Sequence, residues 1–560
     1  MTARTLERSS YAQEVISTKI SIERLQVPVK TFWLHSKPPV PGLDQVGIRS
    51  SSIRLYNHLV PGFTNQTTRA RYFSVHAYTI DLWARQFATN EAEKLQRFFR
   101  RVECVLGLAE KITEGERNES SYAIVGTDAI RRWLKQCPDP LPDNFKVPLK
   151  ILEENYFGNK WGAFGQYYGG SESALRLISW REDGLPGLML PLGPELANAF
   201  KTAADKVRLF DLLNESQPRV KDFRRIGTEL SFSNLTGNER TLLRQVFLDS
   251  TNTYGAEGAR RRDTLLLLLA IAQQSSNPID DPAWTILKMA LYGRSEHVSL
   301  VCPSSLLNYL ELWRIYALHE LLAFSLEVFL VACIEEVGIL ELDSKGPAQS
   351  VVEVSQKLAS LLPYKFARKR FGELVEEGKL NGRMSASEPP ASNLEEITLR
   401  ESAKDALKEG NLATAITCAL KLLARVSAQL RTDNSAYELF LHDTSLDSDR
   451  LSLDTLSRYT HKNTLSTLGE TAKHWISLAA NTHMRVATAK LAYNKDFTYK
   501  IAFDGGRLRK IGGTEPAFSS PRLSQAAQML ADVGFLNLTN EGYSITPSGT
   551  EVLRSHGCLT

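Results

Sequence analysis

An apolar stretch near the middle of the chain constrains the fold more than any other feature. It runs from Leu318 to Ile339, and Glu320, Glu327, Glu335 and Glu336 interrupt it. A helix that spans a membrane needs about 20 consecutive apolar residues with few or no charges. The four carboxylates therefore favour a helix that is buried inside protein. The sequence predicts a large helical body around this stretch and no membrane partner.

The length of the chain predicts several units. At 560 residues it exceeds the size at which one hydrophobic core keeps growing, so we expect a mainly α, multidomain protein of about three to four domains. Apolar periodicity and connector composition place the boundaries. The predicted units are an irregular N-terminal arm at 1–42, an N-terminal helical domain at 43–120, a loop-rich helical region at 121–250, a central helical bundle at 251–378, a linker at 379–394, a C-terminal helical region at 395–493 and a terminal unit at 494–560.

Charge and cysteine content limit the partners and the compartment. The formal net charge of +4 is small beside 67 basic and 63 acidic residues, so any basic site must be local. The six cysteines form no close pair, and no apolar stretch follows the first basic residues. These features predict free thiols in a cytoplasmic protein.

The motifs assign no cofactor, no metal and no catalytic residue. The pair His319-Glu320 lacks the second histidine of a zinc-protease motif, because Ala323 stands where that ligand is required. The glycine-rich and aromatic segment at 158–170 lacks the Gly-Lys-Ser/Thr ending of a phosphate-binding loop. That segment favours a packed turn over a partner-docking loop. A metal-dependent nuclease with a site that the motifs do not reveal stays open as an alternative.

A β-hairpin is predicted near the start of the terminal unit. Apolar and polar residues alternate over 497–503, Gly505-Gly506 offers a turn, and residues 508–511 can return as a partner strand. The basic residues gathered there would neutralise phosphates. They are Lys495, Lys500, Arg507, Arg509 and Lys510, and residues 495–510 are called the basic hairpin below.

After the hairpin, the chain carries the order helix, two short strands, helix. A capped helix leads into ADVGFLNL, a turn and YSITPSGTEVL. In these phrases the last residues, about 45 of them, resemble the winged-helix family. The resemblance implies a C-terminal winged helix whose first helix enters the major groove of double-stranded DNA. The outward side chains of that helix, which suit base edges and phosphates, are Arg522, Ser524, Gln525 and Gln528.

A second reading of the terminal unit stays open. Winged helices also serve as protein-interaction modules, because a fold does not fix a function. In that case the cations of the basic hairpin form an ordinary solvated face.

A further set of phrases lies in the segment 43–83. It contains Leu43-Asp44 and Gly47, then Pro61-Gly62 and Thr64, then the run from Thr68 to Phe73. With LSFSNLTGNERTLLRQVFL and HELLAFSLEVFL further on, these phrases resemble uncharacterised helical proteins encoded in bacterial antiphage defence regions, over residues 40–340. The resemblance implies that the protein acts together with other defence proteins, and it identifies no catalytic residues.

Two arginines in this segment have two interpretations. Arg69 and Arg71 could grip a phosphate while Tyr72 stacks on a base, as a second nucleic-acid or partner contact. Alternatively, arginines at a helix start pair with carboxylates of a neighbouring helix.

The sequence as a whole predicts a DNA-engaging accessory or scaffold component of a multi-protein bacterial antiphage defence system. Two alternatives remain. One is a protein-interaction scaffold whose winged helix binds no DNA, and the other is the metal-dependent nuclease named above.

Overall fold

The computed structural model is mainly helical, which confirms the predicted fold class at that level. The structure describes residues 44–87, 91–114, 124–156, 158–233, 235, 237–249, 255–293, 301–343, 346–382, 395–430 and 451–559. The predicted arm at 1–42 lies outside these residues.

Twelve of the described helices precede the long apolar stretch. Among them, α2 packs along α7, and α3 packs along α9. They are α1 (Arg49–Leu59), α2 (Arg71–Gln86), α3 (Ala92–Glu114), α4 (Thr127–Leu134), α5 (Leu149–Tyr156), α6 (Gly169–Ala174), α7 (Leu192–Lys206), α8 (Leu209–Asn214), α9 (Val220–Glu229), α10 (Gly237–Leu248), α11 (Gly255–Gln274) and α12 (Pro282–Tyr292).

The apolar stretch forms the middle of one long helix, α13 (Leu307–Leu342). By length and composition this helix could cross a membrane, but its apolar window is 100% buried inside the protein. The predicted buried helix is therefore confirmed. Helices α1 and α12 pack against it from the N-terminal side of the chain.

Nine described helices follow α13, and α18 and α20 pack against it most extensively. They are α14 (Val351–Ser360), α15 (Tyr364–Ala367), α16 (Phe371–Gly382), α17 (Glu395–Lys408), α18 (Leu412–Gln429), α19 (Leu453–Lys462), α20 (Leu468–Asn494), α21 (Leu523–Asp532) and α22 (Pro547–Ser555). Helix α16 continues four residues into the predicted linker at 379–394. Residues 383–394 lie outside the described part.

Side-chain caps explain where several of these helices begin. The Asn411 side chain accepts a hydrogen bond from the Thr414 backbone N–H at 3.1 Å, as its place before α18 predicts. At the start of α20, Thr467 and Glu470 form a reciprocal capping box. The long helix that carries the basic hairpin is thus fixed at its first turn.

Arg49 on α1 neutralises two of the glutamates inside α13. Its guanidinium contacts both carboxylate oxygens of Glu327 at 2.7 Å and one oxygen of Glu320 at 3.2 Å. The same carboxylates accept backbone N–H groups of the segment before α21, from Ala517 at 3.0 Å and from Ser519 at 2.7 Å. Burial raises the pKa of Glu327, and the Arg49 charge opposes that shift. Three distant parts of the chain meet at this contact.

The described strands form three two-stranded antiparallel sheets. They pair as β1 (Ile178–Trp180) with β2 (Pro186–Leu188), β3 (Ile501–Asp504) with β4 (Arg507–Lys510), and β5 (Leu536–Thr539) with β6 (Gly542–Ile545). The β3–β4 pair with its turn at Gly505-Gly506 confirms the predicted hairpin. The predicted order of helix, two strands and helix is present as α21, β5, β6 and α22.

The C-terminal elements are packed into the helical body. Tyr543 of β6 exchanges two backbone hydrogen bonds with Ile279, both at 2.8 Å, so the sheet continues into the segment before α12. Thr550 on α22 donates to the Gln273 side chain on α11 at 2.7 Å. One apolar cluster includes buried residues from Val46 to Cys558. The end of the chain therefore shares its core with the beginning.

The contact between β6 and the body requires a glycine. Gly542 has a φ of +127°, and a Cβ there would lie 2.4 Å from the Ile279 carbonyl oxygen. We expect Gly542→Ala to lower the free energy of unfolding by at least about 1–3 kcal/mol through backbone strain and this clash. Thermal unfolding followed by circular dichroism measures the effect.

The control for this prediction is Gly513→Ala, since a Cβ at Gly513 meets no atom within 4 Å. Its unfolding midpoint should stay at the wild-type value. Equal midpoints for the two variants would contradict the packing of β6 against Ile279.

Candidate nucleic-acid interface

The basic hairpin is anchored by one face of its two strands. Ile501 and Leu508 are buried, so the face that they share packs against the body. Because side chains alternate along a strand, Arg507 and Arg509 lie on the opposite face. The Leu508 backbone N–H also donates to the Ala348 carbonyl at 2.8 Å. One face of the hairpin is thus held against the body, and Arg507 and Arg509 lie on the other face.

The five cations of the basic hairpin differ in their partners. Lys510 lies 2.6 Å from Glu335, and Arg509 lies 3.9 Å from Glu341, both on the last turns of α13. Lys495, Lys500 and Arg507 make no ion pair with any residue that the structure describes. Two of the predicted contact residues therefore have a carboxylate nearby, and three have none within ion-pair distance among the described residues.

His483 on α20 connects the hairpin to the N-terminal part of the body. Its Nδ1 lies 3.0 Å from the Gln45 carbonyl, and its Nε2 lies 2.9 Å from the Lys500 backbone nitrogen. The carbonyl can only accept and the backbone N–H can only donate, so the ring is the neutral Nδ1–H tautomer. Burial lowers the pKa of His483 to about 4, and the Lys500 and Lys490 charges act in the same direction.

Aromatic rings are exposed beside these cations. Phe497 is 65% exposed, Phe503 is 52% exposed and Tyr493 is 42% exposed. The rings of Phe497 and Tyr499 lie 5.5 Å apart, and the Tyr499 hydroxyl is 2.7 Å from the Thr488 hydroxyl. The interface therefore offers rings as well as charges.

The side chains predicted to read bases on α21 lie mostly against the body. Arg522 donates to the Phe63 carbonyl, and its guanidinium lies 4.6 Å from the Tyr56 ring centroid. The Gln525 amide donates to the Asn65 carbonyl at 3.2 Å. The Gln528 amide donates to Asp532 at 2.9 Å. Ser524 is the one predicted residue of this helix that is exposed.

This arrangement differs from a helix with a free outer face. The helical period identifies which residues share a face of α21, but the face predicted to be outward is covered by the segment 63–65 and by α1. In this conformation Arg522, Gln525 and Gln528 cannot enter a major groove together.

Arg69 and Arg71 are buried ion-pair residues. Arg69, 2% exposed, bonds to Asp532 at the end of α21, with its Nη2 at 2.9 Å and its Nε at 3.0 Å from the carboxylate. Arg71, 1% exposed, contacts both carboxylate oxygens of Glu239. Tyr72 is fully buried. A nucleic acid cannot reach these residues here, and the pairing of the arginines with carboxylates is the interpretation that the structure bears out.

A buried triad was not predicted from the sequence. The two ring nitrogens of His76 on α2 lie 2.6 Å from Glu172 and 3.1 Å from Glu103. Burial lowers the pKa of His76, but the two glutamates outweigh it and raise the value to about 9. Glu103 also accepts the backbone N–H groups of Ala163 and Phe164, so the glycine-rich segment is packed against α3. It forms a π-helix at Phe164–Tyr168 that leads into α6, where an irregular turn was predicted. The only sequence signal for this triad is His76, a histidine in an otherwise apolar face of α2.

Among the described residues, no group of three or more His, Cys, Asp or Glu side chains could hold a metal ion. No family model, no curated protein and no solved structure matches the chain.

The buried pair between Arg69 and Asp532 gives a stability prediction. Arg69→Met leaves the Asp532 carboxylate buried without its cation, which typically costs about 3–5 kcal/mol of unfolding free energy. Chemical denaturation followed by tryptophan fluorescence measures the loss.

The matched control is Arg85→Met, which breaks the exposed pair of Arg85 with Asp81. Exposed pairs contribute about 0–1 kcal/mol. A loss for Arg69→Met as small as that of the control would show that the buried pair does not hold α21 to α2.

The neutral state of His483 gives a pH prediction. In the unfolded chain the imidazole titrates near 6.5, so the unfolded state binds the proton first. As the pH falls from about 6.5 to about 4, the folded state loses stability on the order of 3 kcal/mol from this group. His483→Gln has no such proton, so its unfolding midpoint should fall less steeply between pH 7 and pH 4.5.

Burial also lowers the pKa of His319 to about 4. His319 is present in both the wild type and His483→Gln, so it contributes equally to the pH dependence of their stability. The difference between the two pH profiles therefore isolates His483. Parallel profiles would contradict the hydrogen bond from the Lys500 backbone to this ring.

Proposed function

We propose that the protein is a non-enzymatic DNA-engaging component of a multi-protein bacterial antiphage defence system. The basic hairpin contacts the phosphate backbone of DNA, and the helical body holds other defence proteins. The observation that carries the DNA contact is a set of three cations, Lys495, Lys500 and Arg507, that form no ion pair with the part of the chain that the structure describes. They belong to a hairpin whose base is fixed to the body.

The contact is with phosphates more than with base edges. Phosphate contacts position a protein on DNA, while base contacts specify a sequence. Of the side chains suited to base edges, Arg522 and Gln525 are engaged with the body, and Gln528 bonds to Asp532 of its own helix. The winged helix that about the last 45 residues resemble would then serve to hold the hairpin, and binding would depend little on DNA sequence.

The place in a defence system rests on the resemblance of residues 40–340. Several residues of those phrases have structural roles that a related chain would also need. Arg69 and Arg71 make buried ion pairs, and Gly62 has a φ of +87° with the Leu175 side chain 2.6 Å from the position of a Cβ. These roles are consistent with a shared helical body.

A protein-interaction scaffold that binds no DNA is the second candidate. The packing of α21 against the segment 63–65 favours it, because the helix that a DNA-binding winged helix inserts is covered. The two candidates differ in one property, which is salt-dependent affinity for DNA.

The test uses the full chain and a fluorescein-labelled duplex in anisotropy titrations across a salt series. Lys500→Glu with Arg507→Glu should lower the affinity at least tenfold and reduce the slope of log K against log salt by about two. These two residues carry no ion pair among the described residues, so their replacement breaks none of the salt bridges there.

The matched control reverses the charge of two exposed lysines outside the hairpin, in the double variant Lys365→Glu with Lys408→Glu. This variant changes the net charge by the same amount. Its affinity and salt slope should remain near those of the wild type. If the wild-type chain shows no salt-sensitive binding, or if both double variants lose affinity equally, the proposal fails and the scaffold without DNA binding is favoured.

A further inference from the structure

We infer that the preferred ligand of the hairpin is single-stranded DNA, whose unpaired bases stack on the exposed rings while its phosphates meet the cations. This inference rests on the proposed DNA-binding function and names the form of DNA that the same surface takes. The surface comprises the residues Tyr493, Lys495, Phe497, Tyr499, Lys500, Phe503 and Arg507, and it is called the ring and cation surface below.

The exposure of the rings is the first observation. Phe497 and Phe503 each leave more than half of their area in water. Exposed large apolar side chains that gather in one place mark binding sites more often than singly scattered ones do. Here the exposed rings fall within eleven consecutive residues, from Tyr493 to Phe503.

The cations lie between these rings in the chain. Lys495 is two residues from Tyr493 and two from Phe497, and Lys500 follows Tyr499, whose ring contacts that of Phe497 at 5.5 Å. An extended residue spans about 3.3 Å, so each lysine backbone lies within about 7 Å of a ring-bearing residue. Stacking rings interleaved with cations are the usual means by which proteins hold single strands.

The tip of the hairpin extends the same arrangement. At Gly505 and Gly506 a Cβ would meet no atom within 4 Å, so the turn projects away from the body. Phe503 and Arg507 flank this turn on β3 and β4. Phe503 pairs with Leu508 and Arg507 pairs with Asp504, so the ring and the guanidinium lie on opposite faces of the two strands. A single strand therefore reaches both by passing around the turn.

Duplex DNA can contact the cations of this surface but cannot stack its paired bases on the rings. In a duplex both faces of each base are covered by neighbouring bases, so a protein ring can stack only on a base that has left the pair. The phosphates of a duplex still reach Lys495, Lys500 and Arg507. The charges therefore predict affinity for any DNA, and the rings predict a preference for the single strand.

The test compares a labelled single strand of about 16 nucleotides with its blunt duplex, using the full chain at one salt concentration. The variants are Phe497→Leu and Phe503→Leu, which remove the ring and keep an apolar side chain. The control is Tyr364→Leu, which removes an exposed ring far from the hairpin in sequence. Thermal unfolding checks that each variant is folded.

The expected result is tighter binding of the single strand by the wild type. Each phenylalanine variant should lose on the order of tenfold affinity for the single strand, with no change for the duplex, and Tyr364→Leu should change neither. If the single strand and duplex bind equally and the ring variants change nothing, this inference is overturned while the proposed DNA contact stands. If the wild type binds neither form, the proposed function itself is overturned.

Discussion

The architecture depends on how the carboxylates inside α13 are neutralised. A carboxylate that is buried without a partner is strongly destabilising, so a helix with glutamates along an apolar stretch must bring cations and N–H donors to them. Arg49 supplies the cation to Glu327 and Glu320, and the backbone at Ala517 and Ser519 supplies the donors. The long helix, the first described helix and the segment that precedes α21 are therefore assembled around the same charges.

This arrangement explains which parts of the fold could be predicted from sequence. The buried α13, the cap at Asn411 and the hairpin turn at Gly505-Gly506 are local patterns, and each appears where the pattern places it. The boundaries of the elements are less well determined, as the end of α16 at Gly382 shows. The pairing of Arg49 with Glu320 and Glu327 could be predicted only from the side of the glutamates. Buried glutamates require a cationic partner, but the apolar periodicity does not indicate which residue supplies it.

The candidate site was also predicted only in part, because local patterns do not indicate long-range contacts. The cations of the hairpin lie at its surface because a β-turn that projects from the body exposes its neighbours. The face of Arg522 and Gln525 was expected to be outward, since polar residues on a helix usually meet solvent. The structure gives them polar partners instead, at the Phe63 and Asn65 carbonyls, and these partners lie about 460 positions away in sequence. A local sequence pattern cannot predict a contact between residues that are so far apart in the chain.

The pair of Arg69 and Asp532 has a consequence for how the chain is made. The two residues are 463 positions apart, and a ribosome that adds about 5–20 residues per second needs roughly 20–90 s to travel between them. During that interval the arginine has emerged and its carboxylate does not yet exist. The N-terminal helices must therefore wait, with polar and apolar surface uncovered, until α21 has been synthesised. A nascent chain of this kind is a natural client for chaperones that shield incomplete cores.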